Sequence, residues 1–266
     1  MEAIVEGRGP KAIVMIHGWP DTHRLWDRQV EALKARYRCV RFTLPGFDSG
    51  PKRAYPLDEL LETLRGIVER ACPGEQVTLL LHDWGCFFGY QFAMRHRQLV
   101  ERIVGVDIGD GGSRQHRAEL GVKGMAIVLA YQVWLAAAWQ IGGRVGDAMA
   151  RAMARAMPCP SVEPRDVHAQ MGYPYAMRWF GVAGGIGGVT VFKPQMPMLF
   201  MYGERKPIMF HSRAWAERVA AKPGNRVIAF PTGHWIMVQR PSEFNAALLD
   251  WLAQTDQRGG KGTARD

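Results

Sequence analysis

The sequence predicts an α/β protein: a mostly parallel, doubly wound sheet with a helical lid inserted between its two halves. Three observations carry this expectation. Short, fully apolar runs alternate with amphipathic helical patterns over residues 12–110. The alternation stops over residues 111–193, a stretch rich in Ala, Gly, Met and Trp, and resumes from residue 194. Wholly apolar runs suit strands buried on both faces, and helices between them suit right-handed crossovers that cover those faces. The expected organisation is a core of residues 1–110 and 194–255, a lid of residues 111–193 and a flexible tail of residues 256–266.

Each element has its own signal. The first strand, residues 12–16, runs into His17-Gly18, and a helix follows with Leu25, Trp26, Val30 and Leu33 at helical spacing. A second strand, residues 39–44, closes at Pro45-Gly46. The next helix carries Leu57, Leu60, Leu61, Leu64, Ile67 and Val68 on one face. The third strand, residues 77–81, leads straight into His82-Asp83-Trp84-Gly85, after which residues 87–97 read as helix. A fourth strand, residues 103–108, ends in Gly109-Asp110. Within the lid, residues 146–157 form a small-residue helix. Beyond it come a strand (198–202), a helix (212–220), a strand (227–230), a loop with Gly233-His234 and a closing helix (241–252). In a sheet of this kind ligands sit at the carboxyl ends of the strands.

Composition narrows the function classes. With 47% hydrophobic and 22% charged residues, the 266-residue chain is an ordinary globular protein with enough length for a large core. The net charge of +9 is spread through helices and loops without a basic run interleaved with aromatics, which argues against nucleic acid. Such a field aids solubility and draws in anionic ligands. Cys39, Cys72, Cys86 and Cys159 lack paired spacing, so free thiols in a reducing compartment are expected and a zinc site is not. No signal-peptide pattern opens the chain. The apolar stretch 125–141 is interrupted by Gln132 and Gln140 and reads as a buried or cleft-lining helix, not a membrane span. The expectation is a cytoplasmic monomer or homodimer acting without metal or cofactor.

Three loops carry the chemistry. Asp83 stands between an apolar strand and a helix, where a sharp turn lifts a side chain into the cleft and the helix N-terminus favours an anion. An Asp there can also simply cap the helix. No Gly-x-Ser-x-Gly occurs, so a serine nucleophile is excluded. His17-Gly18-Trp19-Pro20 follows the first strand, where the amide of Trp19 can join that of Trp84 in an oxyanion hole. His17 itself is expected to be structural. His234, in Thr232-Gly233-His234-Trp235, follows the last strand and points back over the sheet edge, as the base does in this chain order. The orienting acid is less direct. Lys206 occupies the place before Pro207 where an Asp usually stands. The fourth strand offers Asp110 at its tip and Asp107 earlier; Asp110 is the expected acid, with Glu204 as the alternative, because geometry and not chain position defines such a triad.

His17-Gly18-Trp19-Pro20, His82-Asp83-Trp84-Gly85 and Gly233-His234-Trp235 together resemble the epoxide hydrolase and haloalkane dehalogenase branch of the α/β-hydrolase fold. The likeness covers nearly the whole core and the lid only loosely. It implies that Asp83 attacks a substrate carbon to form an alkyl-enzyme ester, which water activated by His234 hydrolyses. The partners it implies are a small apolar organic substrate and water. An epoxide hydrolase would protonate the epoxide oxygen with two lid tyrosines, Tyr131 with Tyr173 or Tyr175. A dehalogenase would hold halide with the indole of Trp84 and one of Trp134, Trp139 or Trp179. Trp19 after His-Gly favours the epoxide branch. Lys206 keeps open a third possibility, a binding protein on a hydrolase scaffold that has lost its chemistry.

Overall fold

A seven-stranded sheet in the order β1-β3-β2-β4-β5-β6-β7 organises the computed structural model, which describes residues 2–262 apart from 49 and 158. Strands β2 (Lys11–Ile16), β3 (Tyr37–Arg41), β4 (Val77–His82), β5 (Val100–Val106), β6 (Met198–Gly203) and β7 (Arg226–Phe230) all run parallel. The edge strand β1 (Ile4–Glu6) is antiparallel to β3 and has no counterpart in the sequence expectation, being short and half exposed.

Alternation along the strands divides the core in two. Val14, Ile16, Leu79 and Leu81 point to one face, under α2 (Leu57–Ala71) and α3 (Trp84–Arg95). Ile13, Met15, Leu80 and Val104 point to the other, where α1 (Asp27–Leu33) supplies Val30 and Leu33. The short α8 (Ile236–Gln239) follows β7, and α9 (Pro241–Gly262) packs Phe244, Leu248 and Trp251 on the same face. Every residue of β4 is buried, as the strand in the middle of a doubly covered sheet must be. Helix α7 (Arg213–Ala220) joins β6 to β7.

Three boundaries differ from expectation. β3 stops at Arg41, because the chain turns toward Pro45-Gly46 earlier than its apolar content suggests. β5 stops at Val106, and Asp107 leaves the ladder with φ 70°. Helix α9 runs on to Gly262 through residues expected to be a flexible tail; residues 263–266 of that tail lie outside the described residues.

The insert between β5 and β6 is helical, comprising α4 (Arg114–Ile141), α5 (Gly143–Ala156) and α6 (Tyr173–Phe180). α4 is two segments joined at Gly121, whose φ of 61° a side chain would resist. α4 is long and apolar enough to cross a membrane, but its inward residues line the cleft described below. Its outer side is more open than expected of a buried helix: Val122 is 82% exposed, and Trp134 and Ile141 are also exposed.

Candidate active site

The loops after β2, β4, β5, β6 and β7 converge at one end of the sheet, as parallel strands require. Asp83 sits between β4 and α3 with φ 51° and ψ −123°, a strained conformation for a non-glycine residue. The turn closes only because its neighbours are small. A Cβ on Gly85 would lie 2.2 Å from the Ile16 carbonyl oxygen, and one on Gly18 would lie 2.3 Å from Asp83 Oδ1. In return the Trp19 amide reaches that oxygen at 2.7 Å. The Trp84 amide also favours the ionised carboxylate. Burial opposes the Asp83 charge, yet His234, His82 and the Trp84 amide outweigh it and leave the carboxyl below its usual range.

His234 faces Asp83 across the cleft, with Nε2 3.6 Å from Asp83 Oδ2. Its Nδ1 donates to Asp107 Oδ2 in a short hydrogen bond. Asp107 is completely buried, and its other oxygen accepts from the Gly203 amide at 3.0 Å and from Lys206 Nζ at 2.6 Å. All its charge is therefore satisfied within the protein, as a buried carboxylate needs. Burial raises its pKa, but His234 and Lys206 together pull it down to about 2. Burial likewise disfavours a charged His234, and Asp107 and Asp83 overcome this to lift the imidazole to about 9.

Asp110, the expected acid, does not reach the imidazole. β5 ends at Val106, so Asp107 is the first residue past the strand tip, and Asp110 has already turned away. Its carboxylate accepts from the Ser212 amide (2.6 Å), the Ser212 hydroxyl (2.7 Å) and the Ser113 hydroxyl (2.7 Å), tying the start of the lid to the start of α7. Glu204 is exposed and does not contact His234 either. Lys206, which stands where an acid was sought, instead grips the acid that is present.

Two cavities, of about 390 and 310 Å³, share Asp83, Tyr131, Tyr175 and Phe210 in their walls. One extends beneath α4 along Phe87, Val128 and Leu129; the other runs past Trp19 and His234. The Tyr131 and Tyr175 rings meet edge to face, 6.2 Å between centroids, and Tyr175 also packs on Trp84 at 5.2 Å. Tyr131 and Tyr175 thus both border the Asp83 carboxylate. Tyr173 does not: it is fully buried against Phe47 and Tyr55, outside both cavities. Trp134 is also away from the cleft, its indole N–H given to the Met149 carbonyl at 3.0 Å. Trp139 packs under Lys52, and Trp179 donates to Gln132 Oε1 at 3.0 Å. Gln132 in turn donates to the Tyr131 oxygen at 3.0 Å. Because Trp179 can only donate, it sets the orientation of the Gln132 amide, and Tyr131 keeps its own proton for another acceptor. Burial pushes both phenols above their usual range, so they remain protonated.

His17 is structural: buried, its Nε2 accepts from the Leu44 amide at 2.9 Å, and desolvation lowers its pKa to about 4. The sequence did not single out Asp21. Its buried carboxylate accepts from Trp235 Nε1 at 2.9 Å and from Ser161 of the lid, joining the His234 loop to the insert. The Asp directly after His-Gly-Trp-Pro was the signal available. Among the described residues no cluster of His, Cys, Asp and Glu suits a metal ion.

A carboxylate at a strained strand-to-helix elbow, a histidine after the last strand and amides from two loops define an α/β-hydrolase architecture. The chain belongs to the alpha/beta hydrolase family, whose model matches residues 13–247. It is 33% identical over 112 residues to "Probable oxidoreductase EphD" of Mycobacterium tuberculosis, a match covering 41% of this chain and 19% of that protein. It is 31% identical over 96 residues to "Epoxide hydrolase 2" of Caenorhabditis elegans, covering 35% of this chain and 27% of the relative. The chain therefore matches only about a fifth to a quarter of the length of these relatives. Among solved structures, an epoxide hydrolase of Bacillus megaterium in complex with an inhibitor superposes with a TM-score of 0.69 at 17% identity, over 95% of this chain and 96% of the other.

Proposed function

We propose that the chain is an epoxide hydrolase that works through an ester on Asp83. The observation that carries this reading is the pair of protonated phenols, Tyr131 and Tyr175, bordering Asp83 where its two cavities meet. An Asp83 oxygen attacks one epoxide carbon and the C–O bond breaks. The alkoxide takes a proton from a phenol, a donor well matched to so strong a base. Neutral His234, held by Asp107, then removes a proton from water as it attacks the ester carbonyl. The developing oxyanion is met by the Trp19 and Trp84 amides. As it collapses, the ester C–O bond breaks, the departing alkoxide takes the proton from His234 and leaves as a diol, and the proton of the re-formed Asp83 carboxyl restores the phenol. The epoxide hydrolases among the matched relatives support the same reading.

A dehalogenase reading is less well supported, because among the described residues no lid indole offers a free N–H to the cleft: Trp139 Nε1 is unpartnered but lies outside both cavities. Trp134 donates to Met149 and Trp179 to Gln132, while Trp139 packs under Lys52, leaving Trp84 without a lid partner for halide. The deciding experiment measures diol formation from styrene-type and aliphatic epoxides beside halide release from short bromoalkanes. Epoxide turnover is expected. Tyr131→Phe should slow alkylation by about 10²-fold or more while changing ester hydrolysis little, as loss of a general acid does. Halide release without epoxide turnover would give the site to dehalogenation, and absence of any covalent adduct would leave a binding protein.

The orienting role falls to Asp107. Asp107→Asn is expected to cut ester hydrolysis strongly, by up to about 10⁴-fold and no more than loss of His234 itself, since the wrong tautomer disables the same base. Asp110→Asn should instead lower the melting temperature by loosening the lid anchor, with ester decay nearly unchanged. Rapid-quench measurement of ester decay in both variants separates the two acids.

A further inference from the structure

The larger cavity contains a charge that the reaction above does not use. Arg178, on α6, lines it beside Tyr131, and among the described residues its guanidinium forms no hydrogen bond or ion pair. Its Nε is shielded from solvent and without a partner. Arg117 of α4 lines the same lobe, with Nη1 donating to the Gly112 carbonyl at 2.6 Å. Arg178 Nη2 approaches the same glycine, 3.6 Å from where a Cβ would stand. Two guanidinium groups thus meet at one turn in the wall of a mainly apolar lobe.

The nearby acids are engaged elsewhere. Asp110 is satisfied by Ser113 and Ser212, and Glu119 accepts from the Arg213 amide. Among the described residues Asp83 is the one carboxylate that lines the lobe, held by Trp19 and facing His234. The neighbouring His116 adds no charge acceptor: it accepts from the Gly112 amide and bonds the Met209 carbonyl. A guanidinium whose Nε edge is cut off from water and that has no counter-ion loses hydration without compensation, and the proximity of Arg117 adds repulsion. Burial and Arg117 both lower the proton affinity of Arg178. A ligand oxyanion would relieve this, because guanidinium matches carboxylate geometry in a two-pronged hydrogen bond.

We infer that the lobe beneath α4 recognises a carboxylate on the substrate, with Arg178 as its contact and Arg117 as a supporting cation. This rests on the epoxide reading and narrows it: the substrate is an amphiphile whose apolar chain lies along Phe87, Val128 and Leu129, with an epoxide at Asp83 and an anionic group toward Gly112. The positive charge of the whole chain assists its approach.

The test compares kcat/KM for an aliphatic epoxy carboxylate and its methyl ester. The wild type should prefer the carboxylate, and the preference should shrink as ionic strength rises. In Arg178→Met the carboxylate-to-ester ratio should fall about tenfold or more, the scale of one charge-assisted hydrogen bond pair; Arg178→Lys should restore part of it. Arg117→Gln, on a different helix, should reduce the ratio a few-fold and guards against misfolding of a single variant. An unchanged ratio in folded Arg178→Met, or a wild type indifferent to the carboxylate, overturns the inference while leaving epoxide hydrolysis intact. Calorimetric binding of octanoate and octanol tests the lobe without turnover. Tighter octanoate binding that Arg178→Met abolishes supports it even if no epoxide reacts, and equal binding overturns it.

Discussion

Asp83→Asn is expected to abolish both turnover and adduct formation, by about 10⁶-fold, the scale of removing the nucleophile from a hydrolase. An amide oxygen is a far weaker nucleophile than a carboxylate. The protein should nevertheless fold. Asp83 holds φ 51° at the elbow, and Asn is among the few residues that tolerate positive φ. An Asn oxygen can still accept from the Trp19 amide, which Asp83 now does at 2.7 Å. Intact-mass spectrometry after incubation with an epoxide should show a covalent gain in the wild type only. Because deamidation would regenerate Asp, peptide mapping of the variant must accompany the assay. Activity in a variant proven free of Asp83 would remove the carboxylate from the mechanism.

His234→Phe should have the opposite signature, a stable adduct. Alkylation requires the carboxylate and the phenols, whereas hydrolysis requires the base. Loss of that base slows the second step by about 10²- to 10⁴-fold. One equivalent of substrate should therefore be consumed and retained. The wild-type pH dependence follows from the same charges. In the free enzyme the imidazole titrates at about 9, raised by Asp107 and Asp83 against the effect of burial. Esterification removes the Asp83 charge, so one raising influence disappears and the imidazole pKa falls below 9 at the stage where it must be neutral. Since only neutral His234 accepts a proton, ester decay should slow as pH drops through this lowered value and plateau above it. Single-turnover ester decay between pH 5 and 9 checks this. If His234→Phe forms no adduct in a folded protein, or if wild-type decay speeds up in acid, His234 is not the base.

The lid shows why packing decides what composition leaves open. Tyr131, Tyr173 and Tyr175 look equivalent in sequence, but α6 begins at Tyr173, so residues two apart face different ways. Tyr173 enters the core against Phe47, and Tyr175 turns toward Trp84 and the cleft. Trp134 reads as a halide donor until its N–H is found on Met149. Arg178 has no motif at all; its interest comes from lacking a partner, a property of the assembled cavity.

The sequence by itself determined the sheet, the helical insert, the elbow at Asp83, the amide of Trp19 and the placement of His234. Those are local matters: apolar runs make buried strands, and a loop between a strand and a helix occupies a known corner of the fold. The acid was not local. Asp107 and Asp110 are three residues apart, and the choice between them depends on where β5 stops pairing with β6, which is a long-range hydrogen-bonding decision. Val106 is the last residue of β5 paired with β6, Asp107 turns at φ 70° into the space beneath His234, and Lys206 with the Gly203 amide at the end of β6 satisfies it there. Those partners come from segments about a hundred residues away along the chain, so only the tertiary structure could bring them to one carboxylate.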